Sequence, residues 1–195
     1  YNFLEYLLLG LMVSGLWLNE KINLRQRMRL SRVSAPIIYV LLSWSFGMLY
    51  ELTLSLNGTG VGGMHPDTAS SFILAQGDYI AQALVGFCVI RYLKLSFKDM
   101  FFFAVGISLT EGLIFTGYLL ASIFSPLFFL SPFVFAYYAV VYAYFTALPL
   151  LFVDEELLWK NGGTTKKKSL FLMLVIGFTL GFLIRVFYGL AWGPV

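Results

Sequence analysis

The chain has 195 residues, of which 59% are hydrophobic, 18% aromatic and 12% charged, and its mean hydropathy is strongly positive; soluble domains carry about 25% charged residues, so the balance excludes one and defines an all-α integral membrane protein. One cysteine, Cys88, excludes an internal disulfide, a Cys-based zinc site and an iron–sulfur cluster, and one histidine, His65, excludes a histidine-rich di-iron centre. The net charge of +3 comes from basic residues gathered in short runs between apolar stretches, where membrane topology requires them, so no nucleic-acid role is read from it.

A helix needs about 20 apolar residues to cross a hydrocarbon layer of about 30 Å. Six stretches meet that need: 2–18, 36–56, 69–92, 100–124, 127–152 and 170–192, a single transmembrane domain over 1–195. Lys21, Arg25, Arg27, Arg29 and Arg32 follow the first span, Arg91, Lys94 and Lys98 follow the third, and Lys160, Lys166, Lys167 and Lys168 follow the fifth. The connections 19–35, 93–99 and 153–169 are therefore inner-side loops, and the positive-inside bias predicts a six-helix bundle with both termini outside. The other two connections, "NGTGVGGMHPDTAS" and "SIFSPLFFLSP", contain no Lys or Arg.

The second span carries Glu51, and the outer loop after it carries His65 and Asp67 beside Pro66, which places two ionisable groups at the mouth of any outward-facing cavity. On the third span Ser71, Asp78 and Gln82 recur at intervals of seven and four and so share one helix face; Ser108, Glu111 and Tyr118 are expected to do the same on the fourth. The fifth span is dense in aromatics, with Tyr138, Tyr142 and Phe145 along one stripe and Pro126, Pro132 and Pro149 bending or bounding it. "VDEELLW" after it holds Asp154, Glu155 and Glu156, whose side chains diverge on a helix end and read as a solvated face rather than a metal site.

In the sixth span Gly177, Gly181, Arg185 and Gly189 recur every four residues, the spacing that lets another backbone approach closely. Side chains on a helix lean toward its N-terminus, and this span runs outward, so Arg185 is directed inward rather than to the nearer headgroups. Counted from the outer end at a rise of about 1.5 Å per residue, Glu51 lies about 8 Å deep, Arg185 about 10 Å, Asp78 about 14 Å and Glu111 about 20 Å. Asp78 is the depth-matched partner for Arg185, and Glu111 is within its lean.

Charges at such depth are costly unless paired or hydrated. Three acids against one arginine leave two negative charges uncompensated, so either a carboxyl carries its proton or a cation completes the group. The reading that follows is a small channel or transporter with an outward-facing site of Asp78, Glu111, Arg185, Glu51 and Gln82 for a proton, cation or small cationic substrate. Two alternatives stand beside it. One is a subunit or assembly factor of a larger membrane complex, docking through spans five and six. The other is an integral membrane enzyme acting on a lipid or isoprenoid, with Arg185 on a phosphate or carboxylate. GxSxG, HExxH, P-loop and paired Asp-rich motifs do not occur, so no catalytic residue, metal site or cofactor is assigned. The expected surroundings are membrane lipids, of a plasma or inner membrane, with further copies or partner subunits against spans five and six.

Overall fold

The computed structural model describes residues 10, 14, 33–56, 68–115, 117–126, 128–159 and 169–192. Apart from Gly10 and Ser14, the expected first span lies outside them, as do the outer loop with His65 and Asp67 and the lysines of 160–168.

The described residues are helical, with no strand among them. α1 covers Ser34–Leu56, α2 Thr68–Leu93 and α3 Phe97–Thr110, which runs directly into a π-helical turn at Glu111–Phe115. α4 is the short Tyr118–Ile123, α5 is Ser131–Thr146 between 3-10 turns at Phe128–Leu130 and Leu148–Leu151, α6 is Glu155–Leu158, and α7 is Leu170–Trp192. Among the described residues three stretches are long and apolar enough to cross a membrane: Ser34–Leu54, Phe128–Thr146 and Leu170–Phe187. Gln76, Asp78 and Gln82 dilute the apolar run of α2, and Lys98, Asp99 and Glu111 that of α3 with its π turn.

Burial runs opposite to that of a soluble protein. α7 is the most apolar of the three stretches, yet 17% of its apolar window is buried, against 33% in the other two. Phe171, Phe187 and Leu190 on α7 and Phe133 on α5 are each more than half exposed, an arrangement that costs little in lipid and much in water.

A single helix over 100–124, expected from hydropathy, does not form. Gly117, at φ 65°, adopts the left-handed conformation that glycine tolerates and separates the π turn from α4, so Tyr118 begins a new helix. In "VDEELLW", expected to be a solvated face, Glu156 is exposed. Asp154 Oδ1 caps α6 by accepting from the Glu156 N–H at 3.1 Å. Around it Val153, Leu158 and Trp159 are buried, and Trp159 Nε1 donates to the Leu95 carbonyl at 3.3 Å. That carbonyl lies just past Lys94, whose φ of 52° closes the C-terminal end of α2.

By contacts the chain divides into two compact units, 1–97 with 144–165 and 98–143 with 166–195. In the first, α1 and α2 pack where Gly47 lies under the Tyr79 ring; a Cβ at Gly47 would overlap Cγ and Cδ1 of that ring. Phe145 meets Tyr79 edge to face, with centroids 5.3 Å apart. The last carbonyls of α5 have no helical donor, and α1 supplies two, one turn apart: Tyr39 Oη donates to the Thr146 carbonyl at 2.8 Å, and Ser43 Oγ to that of Phe145.

In the second unit α3 and α7 touch backbone to backbone. A Cβ on Gly106 would run into the Leu174 carbonyl, and one on Gly177 into that of Phe103. Thr110 Oγ1 crosses the contact to the Phe178 carbonyl at 2.8 Å. Phe103 meets Gly177, Ile107 meets Gly181 and Glu111 meets Arg185, each pair 74 positions apart. A constant offset sampled every four residues means that the two helices run parallel and side by side.

Candidate functional site

Glu51 and Asp78 are buried in the first unit, Asp99 is buried in the second, and the Glu111–Arg185 pair of the second unit is largely buried. In the first unit Glu51 is fully buried on α1, one turn beyond Gly47, and accepts from Tyr79 Oη at 3.1 Å. The local cause is the glycine: with no Cβ at position 47, the Tyr79 ring lies flat on α1 and carries its hydroxyl to the carboxylate one turn on.

Asp78 and Gln82 lie one turn apart on α2, with 1% and 4% of their surface exposed. Gln82 Nε2 donates to Asp78 Oδ2 at 2.9 Å, which leaves the other end of the amide, Oε1, buried with no hydrogen-bond partner among the described residues. Buried polar atoms are nearly always satisfied. Ala75 and Gly86, both buried, stand one turn before and one turn after the pair, so the stripe reads small, acid, amide, small. Trp44 Nε1 on α1 is likewise buried with no hydrogen-bond partner among the described residues.

In the second unit Arg185 Nε donates to Glu111 Oε2 at 2.8 Å, and Nη2 reaches Tyr142 Oη at 3.5 Å. Both charged side chains are 14% exposed. Glu111 is the first residue of the π turn, an irregularity frequent at functional positions. The glycine contacts carry Arg185 to it, since Gly177 and Gly181 bring the backbones together and the next residue on that face is the arginine.

Depth ranks Asp78 first as the arginine's partner, whereas the ion pair forms with Glu111. The N-terminal lean of helical side chains takes Arg185 deeper than its own Cα, and the parallel register of α3 and α7 presents Glu111 there. Glu51, Asp78 and Gln82 gather in the first unit as buried groups. Gly189 lies in α7, with surroundings outside the described residues. Three contributors escape a reading by motif. Tyr79 and Gly47 carry no pattern, while Tyr142 belongs to the aromatic stripe of span five, its hydroxyl being the only cue to a polar contact. Among the described residues no group of three His, Cys, Asp or Glu could hold a metal ion.

Among the described residues, three helical stretches are long and apolar enough to cross a membrane, and the described helices enclose carboxylates, an amide and an ion pair. The chain matches no protein-family profile, no curated protein and no solved structure.

Proposed function

We propose that the chain is a small multi-pass membrane channel or transporter whose buried carboxylates take up a proton, a cation or a small cationic substrate. The observation that carries the reading is the burial of Glu51 and Asp78 at 0% and 1% exposure on the long helices α1 and α2. Insertion of one such charge costs about 2.5–3.5 kcal/mol, and leucine at either position would pack the same helices without it. Tyr79 donates to the Glu51 carboxylate and Gln82 to that of Asp78, and each bond orients its acid. Glu111 is paired with Arg185, and that pair serves to register α3 against α7.

The topology proposed with this reading is six spans with both termini outside. It is supported by the alternation of basic and uncharged connections and by the parallel course of α3 and α7 with the apolar α5 between them in sequence, as two helices separated by one crossing must run.

The test is cation or proton flux into liposomes containing the purified chain. Asp78→Asn and Glu51→Gln should each abolish flux while the helical circular dichroism and the elution profile stay those of the wild type; flux unchanged in both variants overturns the reading. The exposed apolar surface of α7 favours one alternative, a subunit of a larger membrane complex. Co-purification with stoichiometric partners, and no flux from the isolated chain, would establish that instead.

A further inference from the structure

The chain that follows α5 is buried without belonging to a long helix. Pro149 has no N–H to donate to the Phe145 carbonyl, and α5 ends at Thr146. A 3-10 turn, an extended step at Asp154 and the single turn of α6 carry the backbone on to Trp159. Leu148, Leu150, Leu151, Val153, Leu158 and Trp159 are nonetheless each no more than 6% exposed. We infer that this segment, Leu148–Trp159, is a strap that gates one end of the α1–α2 pair, with the Trp159 indole as its latch; the inference rests on the reading of the chain as a channel or transporter.

The strap lies across both helices: its 3-10 turn packs on α1, and α6 packs on α1 and α2. At its entry Tyr39 and Ser43 of α1 hold the Thr146 and Phe145 carbonyls. At its exit Trp159 Nε1 donates to the Leu95 carbonyl, just past α2, at 3.3 Å. Tyr39, Ser43, Gly47 and Glu51 recur every four residues and are all buried, so one face of α1 runs from the strap to the carboxylate, about 18 Å along the axis from Tyr39 to Glu51. The Tyr79 ring joins the two, with its hydroxyl on Glu51 and its face against the edge-to-face partner Phe145. The strap stands at the far end of that face, the end that the proposed topology turns inward. Its own backbone hydrogen bonds are short-range: Leu150 donates to Ala147, Phe152 to Pro149 and Leu157 to Asp154. Elements of that kind open at lower cost than long packed helices. Lifting the strap breaks the Trp159 bond and leaves the α1–α2 contact at Gly47 and Tyr79 in place, and the Asp154 cap on the Glu156 N–H keeps α6 wound while it is closed.

The experiment follows thiol labelling of the purified full chain in detergent micelles, in a Cys88→Ser background because Cys88 is exposed. A single cysteine is introduced either in the strap, Val153→Cys, or in the middle of α2, Ala83→Cys. Both positions are fully buried, so a charged, water-soluble methanethiosulfonate reagent reaches either thiol only when its surroundings open. Trp159→Phe and Asp154→Ala should each speed labelling at position 153 about fivefold, the loss of one hydrogen bond or one helix cap, and leave labelling at position 83 unchanged. Equal acceleration at both positions, or none at 153, overturns the inference. If Trp159→Phe does not fold, Asp154→Ala decides alone. In liposomes the same two variants should raise cation or proton flux. Wild-type flux that both leave unchanged removes the gate and keeps transport, whereas selective labelling at 153 with no flux from any variant removes transport and the gating role with it.

Discussion

Arg185 and Glu111 meet at 2.8 Å across two parallel helices, at the fourth-residue step that follows the contacts of Gly177 and Gly181. The glycines set the backbone separation, and the ion pair fixes rotation and register. A shift of one residue along α7 would remove the glycines from the Phe103 and Ile107 backbone and the arginine from the π turn together.

Removing one partner of this pair leaves a largely buried charge without compensation, so Arg185→Met and Glu111→Gln should each lower stability by about 2 kcal/mol, less than the 3–5 kcal/mol of a fully buried pair because both groups are 14% exposed. The double variant should recover most of that loss, with a coupling of at least about 1 kcal/mol. Unfolding in mixed micelles gives the cycle; additive losses would mean that the two side chains act independently.

Gly177→Ala should cost about 1–3 kcal/mol or more, since the atom in the way is the backbone carbonyl of Phe103, which cannot rotate aside. Gly77→Ala on α2 is the control. Its Cβ meets nothing within 4 Å, and the substitution should be neutral or slightly stabilising. Equal effects at the two positions would refute the close contact of α3 and α7.

Gly47→Ala should displace the Tyr79 ring and with it the hydroxyl on Glu51. Tyr79→Phe keeps the ring and loses only that bond, so it should cost about 1.5–3 kcal/mol, the range for a hydrogen bond to a charged group. Gly47→Ala should cost more than Tyr79→Phe, and combining them should add less than the sum, because both remove the same hydrogen bond. Chemical denaturation of the four proteins checks the order.

Lys94 holds a left-handed backbone at φ 52°, a conformation that costs a residue with a Cβ about 1–2 kcal/mol. Lys94→Gly should raise stability by about 0.5 kcal/mol after the extra chain entropy of glycine is deducted, while Lys94→Ala, which keeps the Cβ, should give no gain. A gain for alanine equal to that for glycine would place the effect in the charge instead of the backbone.

The sequence by itself determines the medium and the cast of residues. Its apolar runs are long enough to cross a membrane, its basic runs carry the expected orientation, and the four-residue spacing of Gly177, Gly181 and Arg185 places the arginine on a close-packing face, because helical periodicity is a local property of the chain. Which neighbour that face meets is not local. Glu111 rather than Asp78 receives Arg185 because α3 and α7 run parallel at a fixed offset, a relation that no spacing within either helix encodes. Hydropathy also averages over the break at Gly117, where a π turn and one left-handed glycine end a helix that composition alone would extend to Phe124. The Gln82 carbonyl stands at the same boundary. Its place one turn from Asp78 can be read from the chain, but its burial, with no hydrogen-bond partner among the described residues, exists only once the surrounding helices have packed around it.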